Sequence, residues 1–406
     1  MFNENWVALA LFAAVIGLIF HQSGLVVLAL LVLTATAAGW AWNKQSLRHV
    51  AFHRTFSERR LFLGETVDLT MRASNDKRLP ISWLRIDDEY PLPVTLLEGA
   101  SQPTTKADVG FLSSVMSLRW YEGTSWRYRL RCDRRGVYAF GPTKLQSGDP
   151  FGLFSSELML PQQDWLVVYP AVKSVEGLVL PPKEPFGNSR AGQWIFEDPS
   201  RSAGIRDYAP GDGLKRVHWK ATARQQRLQV KVYEPTATFQ LVLFLDMATL
   251  PRPWHGSVPE LLERGISVAA SVASNAISHR YQVGLLANGC WPQSDQPLKV
   301  LPSRSPDQLT RILEALAAVS SVPTIAIEAL LNKESAHLPW GATLVVITAV
   351  LSEELLAVID RLRAAGRRLV LVCLTEDPLP YPAPGILIER VQELDSGFSF
   401  RVEAQG

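Results

Sequence analysis

Between Arg206 and Arg224 the sequence reads R-D-Y-A-P-G-D-G-L-K-R-V-H-W-K-A-T-A-R, a stretch whose side chains are suited to holding anions. From Arg201 to Lys231 there are eight Lys or Arg, against which stand only Asp207 and Asp212. Arginine presents a planar fork that pairs bidentately with carboxylate or phosphate. The residues Ala209-Pro210-Gly211-Asp212 suit a type II turn, because Pro presets φ at its second position and Gly accepts positive φ at its third. Asp212 can then cap a helix beginning at Gly213. In such a helix Arg216, Lys220 and Arg224 recur at i, i+4 and i+8 on one side, leaving Val217, Ala221 and the Trp219 ring to pack. Three readings follow: an interior network in which Arg206, Arg216 and Arg224 pair with carboxylates such as Asp207 and Asp212, an anion or nucleic-acid site, and a docking face for an acidic protein.

Other chemistry is sparse. No G-x-x-x-x-G-K-[ST], H-E-x-x-H or G-x-S-x-G occurs, so the common NTPase, metalloprotease and hydrolase signatures are absent. His49 and His53 stand at i, i+4, a spacing that could hold a metal on a helix, but beside an apolar segment they read as interfacial side chains. Cys132, Cys290 and Cys373 are scattered and odd in number, which argues against a disulfide framework or zinc site and for a reducing compartment. Cys290, beside Trp291, reads as a small packing residue. A net charge of +2 over 406 residues gives no general affinity for nucleic acid.

The Arg206–Arg224 run resembles the central motif of a bacterial family, domain of unknown function 58, whose pattern is close to R-x-Y-x-P-G-D followed by R-x-x-W-x-x-x-A-R. Arg206, Tyr208, Pro210, Gly211, Asp212, Arg216, Trp219, Ala223 and Arg224 occupy motif positions, with Lys220 inside the motif. A second family hallmark stands at Asp149-Pro150-Phe151-Gly152-Leu153-Phe154. The resemblance extends from about Arg54 to the end and identifies architecture better than chemistry. It implies company with MoxR-type AAA+ ATPases and membrane transglutaminase-like proteins, and a role in maturation or assembly of other proteins.

The apolar run Phe239–Met247, with Asp246 at its carboxyl end and a long helix to follow, resembles a von Willebrand factor A domain. Such a domain holds Mg²⁺ through D-x-S-x-S, a Thr and a further Asp, all hard oxygen ligands. Here Ala248 and Leu250 replace the two serines and the later strand ends Ile347-Thr348-Ala349 with no Asp, so the site at Asp246 is degenerate. Thr249 or Ser303 would serve only in a rearranged loop. No metal, cofactor or catalytic residue is expected.

Four segments must position these residues. Residues 1–44 read as a transmembrane helical hairpin: Trp6–Phe20 is apolar, His21-Gln22-Ser23-Gly24 interrupts, and Leu25–Trp42 is apolar or small throughout. Lys44, Arg48, Arg54, Arg59 and Arg60 follow the second run while the loop has no Lys or Arg, which places the rest in the cytoplasm of a bacterial inner membrane. Residues 45–170 alternate with period two between Gly, Pro, Asn and Asp, the mark of an all-β, immunoglobulin-like sandwich. The Asp149–Gly152 turn closes it, with Phe151 and Phe154 as buried pins of the loop or, alternatively, as a docking knob. Residues 171–238 hold a proline-rich extended connection over Ala171–Gln193, the basic motif, and a strand over Arg227–Tyr233. Residues 239–406 alternate strands with helices over Pro259–Arg280, Pro306–Val319, Ile325–Leu338 and Ser352–Ala365, predicting an α/β domain with a mostly parallel sheet.

The expected function is a membrane-tethered, non-catalytic scaffold or adaptor working with a MoxR-type AAA+ ATPase. The alternative is an enzyme acting on an anionic substrate, with Asp212 or Asp246 as base and the arginines as clamp.

Overall fold

The computed structural model describes residues 4–99, 102–104, 106, 108–178, 197–209, 217–235, 240–252, 255–292, 294–339, 341–382, 385–394 and 397–402. The chain divides into two compact units, Met1–Ala171 with Leu316–Ala318, and Val172–Ala315 with Val319–Gly406.

The first unit opens with two helices, α1 (Glu4–Ile19) and α2 (Ser23–Ser46), joined through a turn in which His21 takes φ 47°. Their lengths differ in consequence. The 16 residues of α1 reach about 24 Å, short of a ~30 Å hydrocarbon core. The 24 residues of α2 reach about 36 Å, and among the described residues α2 alone is long and apolar enough to cross a membrane. Its hydroxyls are satisfied within the helix, Thr36 Oγ1 donating to Val32 O at 2.7 Å.

Three residues after α2 the chain is already in a strand, so helix and β region share a stiff junction. Lys77 Nζ donates to Ser46 O and Arg48 O, closing carbonyls that a helix end leaves open. Burial lowers the Lys77 pKa to about 8. His49 lies outside α2 with φ 55°, and His53 is on the first strand, opposite Arg72. The helical spacing that would have brought the two imidazoles together is therefore absent.

The β region comprises β1 (Val50–Phe56), β2 (Arg60–Phe62), β3 (Thr66–Asn75), β4 (Ile81–Pro91), β5 (Val94–Leu96), β6 (Gln102–Pro103), β7 (Val109–Leu118), β8 (Gly123–Cys132), β9 (Gly136–Phe140), β10 (Thr143–Gly148), β11 (Ser155–Leu160) and β12 (Asp164–Tyr169). They form sheets ordered β1-β3-β8-β5, β11-β10-β4-β7-β6 and β2-β12-β9. Alternation decides which side faces in: Val67, Leu69, Met71 and Ala73 of β3 are buried together with Leu84 and Ile86 of β4 and Leu112 of β7. One core thus collects side chains from all three sheets.

A buried ion cluster crosses that region. Arg54 Nη1 donates to both oxygens of Asp88, at 2.8 and 2.9 Å, and its Nε to Asp164 Oδ2 at 3.1 Å. Thr143 Oγ1 adds a bond to Asp88 at 2.6 Å. Burial still raises Asp88 to about 6, against the lowering pull of Arg54. Gly141, at φ 93°, leaves room for this guanidinium, because a Cβ there would sit 2.9 Å from Arg54 Nη2.

The second unit contains β13 (Ser174–Glu176), β14 (Glu197–Asp207), α3 (Trp219–Gln225), β15 (Gln229–Pro235), β16 (Gln240–Leu245), α4 (Pro259–Ser278), β17 (Gln282–Cys290), β18 (Pro297–Ser303), α5 (Gln308–Ala318), α6 (Ile327–Ser335), β19 (Thr343–Thr348), α7 (Glu353–Ala364), β20 (Arg368–Cys373), β21 (Leu387–Leu394) and β22 (Gly397–Val402). Its main sheet is mixed, in the order β13-β22-β21-β20-β19-β16-β17-β18. The five strands β17, β16, β19, β20 and β21 run parallel, while β18 and β22 pair antiparallel with β17 and β21. β13 falls inside the stretch read as an extended connection. It is held by Lys173, whose N–H donates to Ser271 Oγ at 2.9 Å and whose ammonium pairs with Glu393 at 2.7 Å.

Both faces of the parallel strands are apolar, as a sheet covered on each side requires. Val242, Phe244, Leu344 and Val346 share a core with α6 and α7, through Leu330, Leu331, Leu355 and Ile359. α4 approaches the sheet closely at Gly265, where a Cβ would lie 2.9 Å from Leu374 Cδ1. Pro259 opens α4, and Ser352 caps α7 by accepting from Leu355 N at 3.1 Å.

Candidate functional site

The basic motif forms a small hairpin with a helix packed beside it. β14 and β15 pair antiparallel, Arg206 opposite Val230 and Asp207 opposite Gln229. The helix starts at Trp219, six residues later than the sequence suggested, and its cap is His218, whose Nδ1 accepts from Ala221 N at 3.1 Å. Thr222 Oγ1 then accepts from Gln229 N at 3.0 Å, tying α3 to β15. Pro210, Gly211, Asp212 and Arg216 lie outside the described residues.

The hairpin and its helix are buried in part and exposed in part. Val217, Gln229 and Val230 are buried, whereas Ile205, Arg206, Trp219, Lys220, Arg224 and Leu228 are exposed and Tyr208 is half-buried. Arg206 and Arg224 are exposed where the interior-network reading would bury them, and its other members Arg216 and Asp212 lie outside the described residues. Arg206 Nη1 donates to the carbonyl of Asp207 at 3.1 Å. Trp219, expected to pack, is 67% exposed. Lys220 and Arg224 keep their i, i+4 relation on a helix of seven residues.

The second motif is a turn built around one buried carboxylate. Asp149 is fully buried and accepts from Phe151 N at 2.9 Å and Phe154 N at 2.5 Å. Gly152, at φ 71°, donates back to Asp149 O at 3.2 Å. The carboxylate, not the aromatics, fixes the turn: Phe151 is exposed, and Leu153 and Phe154 are half-buried. Beyond the β region this turn meets α2, since a Cβ on Gly39 would lie 3.3 Å from Asp149 Oδ2 and 3.5 Å from Phe154 Cδ2. Ser156 Oγ donates to Asn43 Oδ1 at 3.0 Å alongside.

The third locus stands at the carboxyl ends of three neighbouring parallel strands. Leu245 is opposite both Ala287 and Ile347, so the next residues, Asp246, Asn288 and Thr348, form one polar row. Asn288 Nδ2 donates to Asp246 Oδ1 at 2.8 Å, Ala248 N to the same oxygen at 3.0 Å, and Thr348 Oγ1 to Oδ2 at 2.8 Å. Burial raises the Asp246 pKa, and these three bonds pull it back. Thr249 Oγ1 accepts from Val258 N at 2.7 Å and so fastens the loop before α4. Ser303, on the edge strand β18, pairs with Val283 near the amino end of β17, at the opposite end of the strands from Asp246. Among the described residues no three His, Cys, Asp or Glu side chains gather as a metal set.

Residues 204–404, from within β14 through the whole main sheet beyond β13, match the family model described as Protein of unknown function DUF58. The chain belongs to the DUF58 family. The match begins after the Asp149–Phe154 turn, so the family model covers less than the span from Arg54 that the motifs suggested. The uncharacterized protein YeaD of Bacillus subtilis strain 168 is 23% identical over 354 residues, which cover 86% of this chain and 81% of YeaD. Among solved structures, a cohesin module from a Clostridium perfringens family 33 glycoside hydrolase is similar at TM-score 0.22 and 10% identity, over 29% of this chain and 96% of that one. Spo0M, a sporulation control protein of Bacillus subtilis, is similar at TM-score 0.19 and 11% identity, over 30% and 50%. Neither likeness carries a conclusion about fold or function.

Two partners of the DUF58 Asp246 were missed in the sequence, Asn288 and Thr348. A signal was present: Phe244-Leu245-Asp246, Leu286-Ala287-Asn288 and Val346-Ile347-Thr348 each end an apolar strand with one polar residue.

Proposed function

We propose that this DUF58 protein is a membrane-tethered, non-catalytic scaffold that docks an acidic protein partner on its α3 hairpin. The observation that carries the reading is Trp219, two-thirds exposed on a short helix that also carries exposed Lys220 and Arg224, with exposed Arg206 on β14 of the same hairpin. Exposed Trp and Arg are the residue types that dominate binding energy at protein interfaces. Surrounding cations steer an acidic partner and raise its association rate. A MoxR-type AAA+ ATPase is the partner class that the family resemblance implies, with a transglutaminase-like membrane protein as a further companion in protein maturation or assembly.

We read α2, together with α1, as a two-pass anchor in a bacterial inner membrane with the remainder in the cytoplasm. Exposed Lys44, Arg48, Arg59 and Arg60 after α2 support that orientation, whereas Arg54 is buried in its ion cluster and does not count toward it. The two-pass form needs residues before Glu4 to lengthen α1. We read the β region as an immunoglobulin-like sandwich and the second unit as von Willebrand A-like. Numbered from β16, its first six strands stand in the order 3-2-1-4-5-6, a doubly wound arrangement whose ligand crevice lies at the strand carboxyl ends. There both Asp246 oxygens already accept N–H or O–H hydrogen bonds from Ala248, Asn288 and Thr348, which satisfies the carboxylate without a cation and supports a domain working without metal.

The enzyme reading has less support, because both Asp246 oxygens already accept hydrogen bonds. The test is affinity capture of the full chain from detergent-solubilised membranes. Recovery of an AAA+ ATPase with the wild type and its loss with Trp219→Ala is the expected result. Turnover of a library of anionic substrates, abolished by Asp246→Asn, would replace the scaffold with the enzyme.

A further inference from the structure

The Asp149–Phe154 turn is placed where a soluble domain rarely has reason to put an exposed phenylalanine. Its contact with α2 is at Gly39, which lies inside the uncharged stretch Leu25–Trp42 and five residues before Lys44, the first charged side chain after it. Five residues are about 7.5 Å of helix axis. The turn therefore meets α2 on the apolar side of Lys44, at the level of the interfacial residues. Trp40, exposed at this level with Lys44 Nζ 5.2 Å from its ring centre, has the arrangement of an aromatic anchor with a cation reaching toward headgroups.

At the same turn Phe151 is 64% exposed, and the backbone that carries it is held from behind by Asp149. The junction is too short to let this surface swing away. Only Leu47, Arg48 and His49 separate α2 from β1, and Lys77 bonds to the helix end across that gap. A rigidly mounted aromatic, two-thirds exposed on a turn that packs against a membrane span, has the bilayer as its nearest apolar phase. Insertion of one such ring into the headgroup and acyl boundary is how amphipathic surfaces gain membrane affinity.

We infer that the Asp149–Phe154 turn is a lipid-contact site, in which Phe151 enters the membrane interface beside α2 and sets the tilt of the β region on the bilayer. The inference rests on the reading of α2 as a membrane span. It makes the turn a third point of membrane attachment that touches lipid without crossing it.

Nitroxide accessibility tests it on the full chain, in phosphatidylcholine and phosphatidylglycerol vesicles, with Cys290→Ser to remove the half-buried native thiol. Labels are attached at Phe151→Cys, at Leu28→Cys in the exposed apolar part of α2, and at Val115→Cys on the β region's exposed surface. The expected result is that collisions with oxygen outnumber those with a water-soluble nickel chelate at least twofold at positions 28 and 151, and that the ratio reverses at 115. A label at 151 that behaves like the one at 115, while 28 reads as lipid, overturns the inference and leaves the span intact. A label at 28 that reads as water overturns the span and the inference together. Should Phe151→Cys fail to fold, Pro150→Cys, at the neighbouring exposed position, gives the same readout.

Discussion

At Asp246 both carboxylate oxygens accept hydrogen bonds from the residue's own loop or from a neighbouring strand, whereas Lys220 and Arg224 hold their charge in water on a seven-residue helix. Both groups belong to the DUF58 half of the chain. The difference is one of solvent: a charge taken out of water must be matched by donors and then acts on stability, while a charge left in water acts on what the surface attracts. The Arg54 cluster of the first unit belongs with Asp246 in this respect, and the Asp149 carboxylate does as well.

Removing a buried partner should have the largest effect. Arg54→Ala leaves Asp88 buried without its guanidinium and is expected to cost about 3 to 5 kcal/mol at pH 7. Asp88 has a folded pKa raised from 3.8 to about 6, so its contribution is full below pH 3.8 and is lost as pH rises through 6. Without Arg54 the folded value climbs further. The gap in melting temperature between wild type and Arg54→Ala should therefore be widest near pH 7 to 8 and narrow toward pH 4. Equal gaps across that range would show that Asp88 does not feel Arg54.

Asp246→Ala comes next. It strips the acceptor from Asn288, Thr348 and the Ala248 N–H at once, and a loss of about 3 kcal/mol is expected. Asp246→Asn keeps one acceptor and should recover part of it. Urea unfolding of the two variants checks the order, and calorimetric titration of the wild type with Mg²⁺ should show no stoichiometric, chelator-reversible site.

Gly39→Leu is expected to cost about 1 to 3 kcal/mol by overpacking, because its first side-chain atom already meets Asp149 and Phe154. Near-ultraviolet circular dichroism of the detergent-solubilised chain during heating would report it. An unchanged melt would mean that the turn moves off α2 without penalty.

Most strands and helices of the second unit were legible in the sequence, since apolar runs such as Thr343–Thr348 and amphipathic runs such as Glu353–Ala364 carry their own period. The strands β13, β14, β18, β21 and β22 were not. Apart from β21 they are short or interrupted by Pro or Gly, and the place of each depends on neighbours distant in the chain. The Asp246 residue was found, but its partners come from β17 and β19, which only the sheet register brings beside it. The basic motif was visible as composition, yet its helix starts late. His218 supplies the cap at Trp219, a residue type outside the usual Ser, Thr, Asp and Asn set. Exposure was misjudged for Trp219 because helical period alone does not say whether anything covers a face.

The smallest effect on folding should come from the exposed hairpin, and that expectation tests the central claim most directly. Thermal melting and partner capture are measured on one detergent-solubilised preparation of the wild type and of the variant carrying Trp219→Ala, Lys220→Ala and Arg224→Ala. Removal of solvent-exposed side chains is predicted to change stability by no more than about 0.5 kcal/mol each, while capture of the AAA+ ATPase falls at least tenfold. A variant that melts like the wild type and captures the ATPase equally well would contradict the docking role of this face.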